Sequence, residues 1–134
     1  MPVIRSKDRT TTNHLARADS SPAETQVFDR IAGFEGYAER TLVNHEAMSE
    51  SLTLGDLVFE PGAVVPGHHH DVQEAFYVFE GSGTAVVGGK EFELSAGDAL
   101  LVPSGVPHAF RNESGRPWRM VWAYAALDAD THFE

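Results

Sequence analysis

The stretch His68-His69-His70-Asp71-Val72-Gln73-Glu74-Ala75-Phe76-Tyr77-Val78-Phe79-Glu80 sets how the remaining residues are read. His68, His70 and Glu74 are all even-numbered, and side chains two apart on an extended segment share a face. Two imidazoles and a carboxylate on one wall form a donor set that borderline and hard divalent cations accept, with coordination positions left over. The same face continues as Phe76 and Val78, which are apolar. A cation at the mouth of an apolar cavity is the expectation, and the rest of the chain has to supply the cavity and a further ligand. His69 points the other way and is expected to be exposed.

Outward from that stretch, the pattern is one of short strands and tight turns. Upstream, Glu39–Val43 and Ser51–Phe59 are rich in β-formers, separated by the polar Asn44-His45-Glu46. Glu60–Gly67 is bounded by Pro61-Gly62 and Pro66-Gly67, which are expected to break any regular ladder. Downstream, Thr84–Val87 and Lys90–Leu94 flank Gly88-Gly89, a two-residue hairpin turn, with Phe92 and Leu94 expected inward. Ala99–Val102 is expected to be a buried run, Pro103-Ser104-Gly105-Val106-Pro107 is a rigid corner that delivers His108, and Trp118–Ala126 is expected as a last apolar strand. The acidic tail from Leu127 is expected to fray, and His132 and Phe133 stand too isolated there to suggest a role. No amphipathic helix is visible, although Asp29–Gly33 has room for a short helical turn. Many short strands with Gly or Pro at the junctions indicate an antiparallel sandwich or small barrel.

Composition narrows the function. With 134 residues, the chain suits one domain with a real core, expected over residues 25–134 behind a flexible polar arm of residues 1–24 that includes His14. A net charge of -10 disfavours nucleic acid or an anionic membrane surface as a partner. The absence of cysteine excludes disulfides, thiolate metal sites and cysteine nucleophiles. Nothing near Met1 resembles the apolar core of a signal peptide and no apolar run approaches the ~20 residues of a membrane span, so a cytoplasmic location is expected.

Two spaced motifs carry a family resemblance. The first is Gly62, five residues, His68, one residue, His70, three residues, Glu74, six residues, Gly81. The second is Gly97, five residues, Pro103, one residue, Gly105, two residues, His108, three residues, Asn112. Together they resemble both halves of the cupin signature with every defined position filled. The resemblance covers roughly residues 39–125 and implies an all-β, antiparallel double-stranded β-helix, or jelly-roll barrel, of the small single-domain kind. It implies that His68, His70, Glu74 and His108 bind one divalent metal, for which iron, manganese, nickel, cobalt, zinc and copper all remain open. It also implies a homodimer, since the strands before Pro61 would otherwise leave an edge uncovered.

Function is less constrained, because one fold hosts many activities. The leading reading is a small metalloenzyme acting on a small oxygenated organic molecule, as a dioxygenase or as a redox-neutral isomerase, cyclase or lyase. The second is a non-catalytic ligand-binding or sensing module using the same pocket. Phe76, Phe110, Trp122 and Tyr124 are candidate pocket-lining, substrate-binding residues, as alternatives to plain core. Tyr124 is the candidate catalytic residue, because its hydroxyl can donate a hydrogen bond or act as an acid. Gln73 and Arg119 are weaker candidates, with Arg119 expected on the solvated face. No second acid–base carboxylate is visible inside the barrel, since the facing of Asp56 and Glu60 is open.

Overall fold

A computed structural model describes residues 11–13, 35–44, 49–127 and 129–134. They form ten strands: β1 (Thr11–Asn13), β2 (Glu35–Val43), β3 (Thr53–His69), β4 (Glu74–Glu80), β5 (Ser82–Val87), β6 (Lys90–Ser95), β7 (Ala99–Val102), β8 (His108–Arg111), β9 (Trp118–Tyr124) and β10 (His132–Phe133). The strands make one antiparallel sheet in the order β6-β5-β8-β3-β9-β4-β7, with β2 and β10 also on β3 and β1 on β2. The sheet curls nearly into a barrel. Backbone bonds from Val78 N–H to the Asp98 carbonyl (2.9 Å) and from Ala96 N–H to the Gly81 carbonyl (3.0 Å) tie the turn before β7 to β4 and its end. The all-β antiparallel expectation holds, and there is no helix among the described residues, so none is long and apolar enough to cross a membrane.

β3 departs from expectation in a way that positions the site. The Pro-Gly pairs do not interrupt it; the strand runs unbroken for 17 residues and changes partners instead. Thr53–Phe59 pairs with β9 and, on the other edge, Leu54–Phe59 pairs with β2, whereas Val64–His68 pairs with β8. Proline supplies no N–H, and at a partner switch the ladder does not require one. Gly62 takes φ 86° at the bend, and the register shifts between Val65 and His68, across Pro66-Gly67. That shift changes the parity of the inward face. Leu57, Phe59, Ala63 and Val65 are buried before it, His68 and His70 after it.

The barrel is filled by Phe59, Phe76, Val78, Ala85, Val102, Phe110, Trp118, Met120 and Trp122, all at most 5% exposed. The two tryptophans require glycine opposite them: a Cβ on Gly55 would stand 2.4 Å from the Trp122 ring, and one on Gly83 2.2 Å from the Trp118 ring. Gly88 and Gly89 form the expected hairpin turn, both with positive φ, between the paired Val87 and Lys90. Phe92 corrects the sequence reading. It lies opposite the buried Ala85, but β6 is an edge strand, and the ring stays 42% exposed.

The tail is also corrected. Rather than fraying, it returns to the barrel, where β10 pairs with His68 and His69, Glu134 N–H donates to the Gly67 carbonyl (3.0 Å), and Ala129 packs against the core. Of the polar arm, only Thr11–Asn13 is described, pairing with Ala38–Arg40. The remainder of residues 1–24, with His14, the Asp29–Gly33 turn and His45, lies outside the described residues.

Candidate metal centre

Three imidazoles meet inside one end of the barrel. His68 comes from the end of β3, His70 from the residue beyond it, and His108 from the first position of β8, register-paired with His68. They are 6%, 3% and 2% exposed, and one ring nitrogen of each lies within 4.8 Å of the others. Backbone carbonyls fix their tautomers. A carbonyl only accepts, so each Nδ1 must carry the proton it donates: His68 to Pro66 (2.8 Å), His70 to Asp130 (2.9 Å) and His108 to Val106 (3.2 Å). Each Nε2 is then left with its lone pair, the state required of a metal ligand. Among the described residues, His108 Nε2 is buried without any hydrogen-bond partner. A buried polar atom in that state is unfavourable unless something else fills its lone pair.

Glu74, the first residue of β4, brings its Oε1 to 3.3 Å from His108 Nε2 and 3.5 Å from His70 Nε2. Burial dominates the electrostatics of the cluster. It pushes His68 down to about 3, with the neighbouring His108 adding to the shift, and lowers His70 and His108. It pushes Glu74 up to about 8, against the opposing pull of His70 and a hydrogen bond from Tyr124. Near neutral pH the cluster is therefore three neutral imidazoles and one carboxyl that still holds its proton. These donors fit a divalent cation: the ligand nitrogens are already deprotonated, one lacks a partner, and only Glu74 has a proton to give up.

The candidate pocket residues surround this centre. Tyr124, opposite Glu74 across the β4–β9 ladder, places its hydroxyl 3.3 Å from His70 Nε2. Burial drives its ionisation well above 10, so the phenol remains a hydrogen-bond donor. Trp122 lies against Tyr124 with ring centroids 5.1 Å apart and planes tilted by 50°, and its indole N–H has no hydrogen-bond partner among the described residues. Phe76 and Phe110 meet edge to face at 5.1 Å, each about 6 Å from the His108 ring. Gln73 is exposed, and Arg119 pairs with Glu80 on the outer face.

One interior carboxylate escaped the sequence reading. Glu39 is register-paired with the inward Leu57, which is paired in turn with the inward Met120, so the Glu39 side chain joins the interior face. Part of the residue stays accessible, yet desolvation, aided by the charge of Glu74, pushes its carboxyl up to about 8. The Glu39-Arg40-Thr41 alternation was visible, but its sense depends on a register no local pattern encodes. Asn112, the last position of the second motif, is latched into the fold: its Nδ2 donates to the carbonyls of Phe59 (2.9 Å) and Arg116 (2.7 Å), and its Oδ1 accepts from Ser114.

Comparison with known proteins agrees with this architecture. The chain is 33% identical over 75 residues to the polyketide synthase CurC of Streptomyces cyaneus, covering 55% of this chain and 49% of that protein. It is 28% identical over 105 residues to the oxalate decarboxylase OxdC of Bacillus subtilis, covering 74% of this chain and 27% of that one. The chain thus spans half or less of these curated relatives. Among solved structures, the polyketide cyclase RemF from Streptomyces resistomycificus superposes with a TM-score of 0.78 at 20% identity, covering 99% of this chain and 84% of RemF. The Cupin domain family matches residues 55–124, a span that includes His68, His70, Glu74 and His108, and the chain belongs to the cupin family.

Proposed function

We propose that the chain is a divalent-metal cupin that catalyses a redox-neutral cyclisation or isomerisation of a small poly-oxygenated molecule of the polyketide type. The observation that carries this reading is the tautomer lock: three buried imidazoles present Nε2 lone pairs beside Glu74, in a barrel lined by aromatic rings. His68, His70, His108 and Glu74 would hold the cation. The cation would act as a Lewis acid toward two substrate oxygens and acidify the carbon between them. The chain's own residues handle the proton. Glu39, with a carboxyl near 8, can take and return a proton close to neutral pH. Tyr124 and the Trp122 N–H, which has no partner among the described residues, donate to oxygens that gain negative charge. Phe76 and Phe110 give a carbon-rich substrate an apolar wall. The likeness to CurC and RemF supports this class of substrate. We propose the homodimer as well, with Tyr77, Phe79 and Leu101, all 47–58% exposed on the outer face of β4 and β7, as the apolar surface for the second copy.

The test has two stages. Elemental analysis of untagged protein should find about one transition-metal equivalent in this centre. Metal-loaded protein should then accelerate deuterium exchange at the methylene of a linear 1,3-diketone, and Glu39→Gln should slow that exchange by roughly 10²-fold, the usual size of a general acid–base contribution. Exchange that is indifferent to both the metal and Glu39 would refute the catalytic reading. It would favour the second reading, a non-catalytic ligand-binding module, for which the depth of the donors speaks, all being at most 6% exposed.

A further inference from the structure

The alternation that sends His68 and His70 inward sends His69 and Asp71 outward, and there they meet the returning tail. His132 is register-paired with His69, and the two rings stack at 4.9 Å with an interplanar angle of 27°. His132 Nε2 lies 3.0 Å from Asp71 Oδ2, and His69 Nδ1 lies 2.7 Å from Glu134 Oε1. One donor atom from each of His69, Asp71 and His132 lies within 4.8 Å of the other two. We propose that His69, Asp71 and His132, with Glu134 as a fourth donor, form a second, outer divalent-cation site.

The donor chemistry favours a specific class of ion. Two imidazoles and two carboxylates neutralise a dication and match the nitrogen–oxygen sets of tetrahedral zinc. Calcium and magnesium, which prefer all-oxygen shells, fit poorly. The site is open to water, with side-chain exposures of 29% for His69, 43% for His132, 48% for Glu134 and 72% for Asp71, so an ion enters without the barrel opening. Its donors come from two segments remote in sequence, the end of β3 with the bend after it, and the tail. A shared cation therefore cross-links them. The consequence reaches inward, because the same tail presents the Asp130 carbonyl that fixes the His70 tautomer and sets the Phe133 ring 5.9 Å from His68. The outer cation holds in place a strap that orients an inner ligand, yet shares no side chain with the inner cluster.

Zinc titration of the full chain without a histidine tag, read by calorimetry and elemental analysis, tests this. Wild type should take up two equivalents. His132→Ala should take up one, and Asp71→Asn should weaken the second equivalent at least about tenfold, the smallest loss typical when even an indirect partner of a metal ligand is removed. Both positions are exposed enough for the fold to tolerate the changes. His108→Leu should lose the inner equivalent and keep the outer one, which separates failure of the inner site from failure of this proposal. A wild type without a second equivalent, or one that persists in both His132→Ala and Asp71→Asn, overturns the outer site.

Discussion

Replacing His108 with leucine should change sign as a stability effect when metal is removed. The imidazole is 2% exposed, and its Nε2 has no hydrogen-bond partner among the described residues. Leaving a polar atom buried and unsatisfied costs about 1–3 kcal/mol, which a leucine of similar volume recovers. Against this, Val106 loses the 3.2 Å hydrogen bond from Nδ1, worth about 1 kcal/mol. In chelator the variant should therefore be as stable as wild type or up to about 2 kcal/mol more stable. With free cation at 100 times its dissociation constant, wild type gains about 2.7 kcal/mol that a three-donor remnant does not. The variant's own advantage of up to about 2 kcal/mol is set against that gain, so at about 4 °C per kcal/mol for a domain of this size wild type should lead by about 3–11 °C in metal and lose that lead in chelator. Thermal unfolding of both proteins, with and without cation, reads the crossing directly. A variant that is equally destabilised in both conditions would show that His108 serves packing and not the cation.

Asn112→Ala should destabilise the fold by about 1–3 kcal/mol in urea unfolding, because it removes a fully buried amide whose Nδ2 donates to the Phe59 carbonyl (2.9 Å), while the exposed Ser114 and Arg116 still bond to each other; a change under about 1 kcal/mol would refute the latch. Gly55→Ala should lose at least about 2 kcal/mol, since its Cβ would stand 2.4 Å from the Trp122 ring and 2.1 Å from the Arg40 carbonyl, and Trp122→Phe in the same chain should restore only part, because the carbonyl remains. Metal-free stability should peak between about pH 4.5 and 6.5. Unfolded histidine binds a proton near 6.5 while folded His68 resists until about 3, so stability is lost as pH falls through that window. Unfolded glutamate releases its proton near 4.5 while Glu74 and Glu39 hold theirs to about 8, so stability is lost as pH rises through that one. Denaturation in chelator from pH 4 to 9 checks the shape, and an alkaline limb unchanged in both Glu74→Gln and Glu39→Gln would contradict it.

His68 and His70 face inward together because they lie two apart where β3 ends, beyond its last register shift, whereas Glu74 reaches the same interior from β4 across the Asp71-Val72 bend, so its even number alone did not decide its facing. The same argument could not extend back through Pro66-Gly67, since a register shift there inverts the inward face, and a proline–glycine pair announces an irregularity without stating its parity. Glu39 was missed for a related reason: its facing is decided by pairing with Leu57, eighteen positions away, and not by its neighbours. The tail was misread because its residues are polar in themselves. What orders them is the pairing of β10 with the end of β3 and the reach of Asp130 to His70, a contact across sixty positions. Local pattern thus specified the strands, the turns and the spacing of donors. Long-range register specified which carboxylates share their space.

The partner switching of β3 also governs when this barrel can form. Thr53 pairs with Tyr124, Leu57 with Met120 and Val65 with Phe110, and the ladders of the longest strand with β8, β9 and β10 join residues 40 to 71 positions apart, only the one with β2 being more local. Closing such loops is entropically unfavourable before any contact compensates, which places folding on the slow side for a chain this short. As the chain is synthesised, β3 remains without its central partners until β9 has emerged, and His68 must wait forty residues for His108. A cation would therefore be captured by a barrel already closed, and the order of events would be folding first and loading second.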